Sequence, residues 1–163
     1  QTFPIADLRI LEIGCGWGAF AKYVTSEIGA TVTGITISKE QFAFANHMLD
    51  EAGLGDKVDL RLMDYRDLEG RFDKIVSIEM FEAVGEEYWD SYFACIAKNL
   101  KTGGRACIQT ITIADDLFER YRKGTDFIQQ YIFFEFGALP LLPFFDRNYS
   151  NCFPLRYIGN LAP

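Results

Sequence analysis

The stretch from Leu8 to Ala21 reads L-R-I-L-E-I-G-C-G-W-G-A-F-A, and it constrains the fold more than any other part of the chain. A short apolar run containing one acid leads into Gly14, Gly16 and Gly18 at alternate positions, and a helical pattern opens directly after them. Strand, glycine turn and helix in that order form the first, nucleotide-binding unit of a doubly wound sheet. Glycine suits the turn because it lets the backbone reverse sharply and lets a ligand come close.

Two ligand classes fit such a turn. A dinucleotide sets its pyrophosphate on the helix N-terminus, where a carboxylate just ahead of the turn would repel it. Glu12 occupies that place. A dinucleotide site also needs an acid about 20 residues on for the ribose, and the chain has Gly34-Ile35-Thr36 there. A carboxylate suits instead a ligand with an amine and a sulfonium, which points to S-adenosylmethionine. The bland alternative is a glycine turn that binds nothing; the acid and the strand–helix context weigh against it.

The remaining pattern repeats the alternation. A helix is expected from Ala19 to about Ile28, then a β-branched run from Ala30 to Thr36. Ser38 and Gln41 form a capping box for a helix that stops at Gly53. Strands follow at Lys57–Leu62, Phe72–Ile78 and Arg105–Ile113, with a helix at Glu86–Leu100 stopped by Thr102-Gly103-Gly104. This predicts a mostly parallel, doubly wound α/β sheet with helices on both faces. Thr36 with Ile37, Asp64-Tyr65 and Glu79–Glu82 all follow strand ends, so they should meet at the mouth beside Gly14.

With 163 residues, 49% of them hydrophobic, the chain can bury one sizeable core. A net charge of −7 and the lack of basic runs exclude a nucleic-acid reading. Cys15, Cys95, Cys107 and Cys152 lack metal-ligand spacing, so no metal site is expected; Cys95 and Cys107 read as small core residues. The scattered thiols, and an opening without a charged-then-apolar leader, suggest a reducing, cytoplasmic setting. The apolar stretch from Tyr131 to Phe145 is too broken to span a bilayer.

Five pieces in order carry a resemblance: E-I-G-C-G-W-G, V-T-G-I-T-I-S-K-E-Q, D-Y-R-D, F-D-K-I-V-S-I-E-M-F-E-A-V-G and L-K-T-G-G-R-A-C-I-Q-T-I. Together they resemble the cyclopropane fatty-acyl-phospholipid synthase family, relatives of the mycolic acid cyclopropane synthases, over about Leu8 to Phe133. The resemblance implies a Rossmann-like class I methyltransferase fold with S-adenosylmethionine as cofactor and a bicarbonate ion in the active site. The implied substrates are unsaturated phospholipid acyl chains, reached by peripheral contact at the inner membrane face.

The resemblance also assigns roles. Glu12, Gly14, Cys15, Gly16 and Gly18 would cradle the methionine part of the cofactor. Thr36 and Gln41, with Ile37 beside them, would hold the ribose, and Asp64, Tyr65 and Arg66 the adenine. Glu82, Gln109 and Ile111 would form the bicarbonate site, Ile111 through its backbone. Gln109 stands where several relatives have histidine, and Ala83 likewise, so a subgroup is indicated. Methyl transfer to a cis double bond would create a carbocation, and bicarbonate would take the proton that closes the ring. The two rival readings are a small-molecule N-methyltransferase and a cofactor-binding module without turnover.

The pattern divides the chain into residues 1–133, the cofactor-binding domain, and 134–163, a tail with only Glu135, Asp146, Arg147 and Arg156 charged. The tail departs from the family pattern, and neither Tyr149 nor Tyr157 can be placed on its catalytic tyrosine. The family's N-terminal segment, with its cysteine, and its last strands are expected to be missing. The sheet edge so exposed would favour a homodimer. Among lone residues, His47 reads as surface, Tyr88, Trp89 and Tyr92 as core or interface, Trp17 as packing on the first helix, and Asp115-Asp116 as a helix cap.

Overall fold

The computed structural model describes residues 7–111. Within them a five-stranded parallel sheet runs in the order β3-β2-β1-β4-β5, built from β1 (Arg9–Ile13), β2 (Thr31–Thr36), β3 (Val58–Leu62), β4 (Phe72–Ile78) and β5 (Leu100–Gln109). The helices are α1 (Ala19–Tyr23), α2 (Lys39–Glu51) and α3 (Trp89–Asn99). Parallel strands need covering on both faces, and β1 shows it. Ile10 packs with Ala21, Val24 and Val32 on the α1 side. Leu11 and Ile13 pack with Phe81, Tyr92, Phe93 and Ile96 on the α3 side.

The order reverses between β1 and β4. The first three strands step one way and the last two the other, which opens a crevice at the strand C-termini. Ser77 of β4 closes the sheet at that point, donating its hydroxyl to the Ile13 carbonyl at 3.1 Å.

Several boundaries differ from the sequence pattern. The first helix is α only to Tyr23; Val24–Ile28 is a π turn, closed by the Gly29 N–H on the Val24 carbonyl at 3.0 Å. Val24, Thr25 and Ser26 are weak helix formers, and Gly29, at φ 82°, ends the segment in left-handed backbone. Glu86–Tyr88 is a 3₁₀ turn, and α3 begins only at Trp89.

Thr102-Gly103-Gly104 is no stop. β5 already starts at Leu100, and its register on β4 passes from Phe72↔Leu100 to Lys74↔Arg105, leaving a bulge that contains Gly103 at φ 79°. Cys107 is exposed rather than core, because it alternates with Ala106 and Ile108, which face α3. Trp17 rests edge-on against Phe44 of α2, centroids 5.3 Å apart. His47 is on the surface as expected, its side chain 74% exposed. Asp115-Asp116, the strand end at Ile113, Cys152, the apolar stretch and the 134–163 tail lie outside the described residues.

Candidate active site

The crevice holds a cleft of about 680 Å³. Its lining includes Gly14, Gly16, Thr36, Ile37, Gln41, Asp64, Tyr65 and Arg66, all singled out from the sequence. Glu12, Cys15, Gly18, Glu82, Gln109 and Ile111 do not line it.

The glycine turn is pinned by the Gly14 and Cys15 N–H groups, which both donate to the Ile35 carbonyl, at 3.0 and 2.9 Å. Gly14, at φ 79°, has no room for a side chain: a Cβ would stand 2.6 Å from Met80 Cγ. Gly16 differs, since nothing lies within 4 Å of where its Cβ would be. Gly18 has a packing role, because a Cβ there would meet Ala45 of α2 at 2.9 Å. The Cys15 side chain turns from the cleft into a cluster with Ala45, Leu49 and Leu60, and burial pushes its thiol up to about 12. An unreactive thiol follows.

Glu12 is 3% exposed, and its Oε2 is buried without a partner among the described residues. Burial pushes its carboxyl up to about 8.

At the end of β2 the Thr36 hydroxyl donates to Gln41 Oε1 at 2.8 Å and accepts the Ser38 N–H at 3.1 Å. Ser38 caps α2 by accepting the Gln41 N–H. The capping box is therefore half formed, with the Gln41 side chain turned to Thr36 instead of the Ser38 backbone. That leaves the Gln41 amide NH₂ on the cleft wall as a donor.

After β3, Asp64 caps the 3₁₀ turn Tyr65–Asp67 and accepts Arg66 Nε and Nη2 at 2.9 and 2.7 Å. These charge-assisted bonds hold the Asp64 carboxyl below its usual range. Tyr65 stands edge-on to Tyr92 at 5.5 Å, and its carbonyl accepts the Cys95 thiol. Arg66 lies over the Tyr88 ring at 5.5 Å. Tyr88, whose spacing with Trp89 and Tyr92 reads as core or interface, is 42% exposed and lines the cleft, while Trp89 and Tyr92 are buried.

After β4, Glu82 is 1% exposed, and its Oε1 accepts the Ile111 N–H. Its Oε2 is buried and finds no partner among the described residues. Gln109 does not join it: the Gln109 amide donates to Glu79 Oε1 at 3.3 Å. Glu79 lines the cleft and caps no helix. Met80, within the Glu79–Glu82 stretch expected at the mouth, packs against the face of Gly14; the sequence reading missed Ile78 and Val84 as apolar walls. The only available signal was their place at and after the end of the β4 run. Among the described residues no group of His, Cys, Asp or Glu could hold a metal ion.

Comparison with known proteins agrees with this geometry. The family described as mycolic acid cyclopropane synthetase matches residues 6–154. The chain is 40% identical to tuberculostearic acid methyltransferase UfaA1 of Mycobacterium tuberculosis over 132 residues, 81% of this chain and 30% of that protein. It is 46% identical to the cyclopropane-fatty-acyl-phospholipid synthase of Escherichia coli over 104 residues, 64% of this chain and 26% of that protein. The solved structure of the cyclopropane synthase MmaA2 from M. tuberculosis superposes with a TM-score of 0.77 at 25% identity, covering 89% of this chain and 54% of that one. The chain thus spans about a third or less of the length of these curated relatives.

Proposed function

Because the chain belongs to the mycolic acid cyclopropane synthetase family of S-adenosylmethionine-dependent methyltransferases, we propose that it is the cofactor-binding catalytic domain of a lipid methyltransferase. The proposed reaction transfers a methyl or methylene group to the double bond of an unsaturated phospholipid acyl chain. The observation that carries the reading is the Thr36–Gln41 pair, which lines the same cleft as an open Gly16. With the Thr36 hydroxyl donated to its oxygen, the Gln41 amide offers a ribose an NH₂ donor at the place where a dinucleotide site offers the acceptor oxygens of an acid.

The residues present fit the cofactor. Gly16 leaves space for its amino-acid end, the Gln41 amide faces the ribose, and Tyr65 beside Arg66 gives an aromatic and planar wall for adenine. When bound, S-adenosylmethionine supplies an electrophilic methyl group. The chain's contribution is to align acceptor and methyl and to keep water from the carbocation that forms on the acyl chain. Ile78, Met80, Ala83 and Val84 give that part of the cleft an apolar wall suited to hydrocarbon, which favours a lipid acceptor over an amine.

Glu82 fits a bicarbonate. With Oε1 fixed by Ile111, the buried Oε2 has no donor among the described residues, and the O–H of bicarbonate would supply one. Holding that anion near the developing cation would stabilise it and give the leaving proton a base. Trp17 and Phe44, packed edge-on, and Ile37 of the cleft lining are 55%, 52% and 77% exposed, apolar side chains suited to contact with a lipid surface. No described helix is long and apolar enough to cross a membrane.

The test is transfer of an isotope-labelled methyl from S-adenosylmethionine to vesicles of a monounsaturated phospholipid, with a saturated phospholipid as control. Label in the unsaturated lipid alone supports the reading. Label in neither lipid, by a folded chain that binds the cofactor, overturns it.

A further inference from the structure

Seven described residues have positive φ, and six of them are glycines; the seventh is Glu79, at φ 50°. Left-handed backbone disfavours a side chain bearing a Cβ, and a non-glycine residue kept there at a cleft wall points to a use for its side chain. Glu79 is tied twice to one residue of β5. Its N–H donates to the Gln109 carbonyl at 3.0 Å, and its Oε1 accepts the Gln109 amide at 3.3 Å. The amide aims the carboxylate without neutralising it, and no Lys, Arg or His pairs with Glu79 among the described residues. Asp64, the other acid on the cleft wall, is already compensated by Arg66 in a two-point bond.

Position completes the argument. Met80, the next residue, packs against the face of Gly14, so Glu79 stands beside the glycine turn where β1 and β4 end. We propose that Glu79 supplies the counter-charge for the sulfonium of the cofactor, so that the cleft distinguishes the cationic substrate S-adenosylmethionine from its neutral thioether product. This rests on the function proposed above and adds a residue that selects between two cofactor states. Attraction that disappears when the sulfonium becomes a thioether favours exchange of spent for fresh cofactor. Glu79 is a binding group in this account and exchanges no proton.

The test is calorimetric titration of wild type, Glu79→Gln and Glu79→Gly with S-adenosylmethionine and with S-adenosylhomocysteine, at low and high salt. Glu79→Gln should weaken the sulfonium ligand about fivefold (~1 kcal/mol) while the thioether changes less than twofold. Salt should erode the wild-type preference and leave the variant unaffected. Glu79→Gly relieves the backbone, so it should melt no lower than wild type while showing the same selective loss; it carries the test if Glu79→Gln fails to fold. An equal loss for both ligands, or no loss for either, overturns the proposal and leaves the functional reading standing. A folded wild type that binds neither ligand overturns both.

Discussion

The Thr36 hydroxyl donates to Gln41 Oε1 at 2.8 Å across the junction of β2 and α2. The bond occupies the amide oxygen and leaves the NH₂ as the free donor of a residue that lines the cleft. Gln41→Ala removes that donor but leaves the Ser38 cap in place. The expected outcome is a loss of S-adenosylhomocysteine affinity of about tenfold, with little change in melting temperature. Thr36→Val should also lower the melting temperature, because the Ser38 N–H then loses its acceptor.

Glu82 is fixed at one oxygen, and its other, buried oxygen has no partner among the described residues. Glu82→Gln keeps an acceptor for the Ile111 N–H but turns a donor toward the bicarbonate. Turnover should fall by about a hundredfold or more while S-adenosylhomocysteine affinity stays within twofold. Steady-state rates beside calorimetry check this; an equal loss in both would reassign Glu82 to holding the fold.

Stability should depend on Glu12. Its folded carboxyl is raised from 4.5 to about 8 by burial, so the folded chain binds more protons than the unfolded chain between those values. Stability is therefore greatest at the acid end and falls as pH rises from about 4.5 toward 8, by at most about 1.4 kcal/mol per unit from this group. Melting curves across that window should slope downward for wild type and flatten for Glu12→Gln.

Gly34 of β2 has a packing cause that its sequence position hides. A Cβ there would meet Leu60 Cδ2 at 2.7 Å and Cys15 Cβ at 3.0 Å. Gly34→Ala should cost about 1–3 kcal/mol in urea unfolding, since the buried Leu60 and Cys15 side chains have to shift to admit a methyl group.

How much of this was legible in the sequence follows from which forces are local. The glycine turn, β4 and the Ser38 cap were readable because apolar period, glycine and capping chemistry act within a few residues. The bulge at Gly103 was not, since glycine signals a break equally in a turn and inside a strand, and only pairing with β4 decides between them. Cys107 failed for a related reason: composition places it among apolar neighbours, while the face it presents depends on where α3 crosses. In the site, the residues after each strand were found from topology alone. The bond of Gln109 to Glu79 was not, because two residues 30 apart meet only once the sheet has formed.

Cofactor binding in this cleft is the central claim, and Gly16 tests it most directly. A side chain at that position meets no protein atom within 4 Å, so it would fill ligand space; the backbone there, at φ 50°, strains any side chain, so a melting curve first establishes that the variant is folded. Calorimetric titration with S-adenosylhomocysteine should show micromolar binding by wild type and a loss of at least about tenfold in Gly16→Leu, with the variant still folded. A folded wild type that does not bind, or a folded Gly16→Leu that binds as wild type does, would contradict the account.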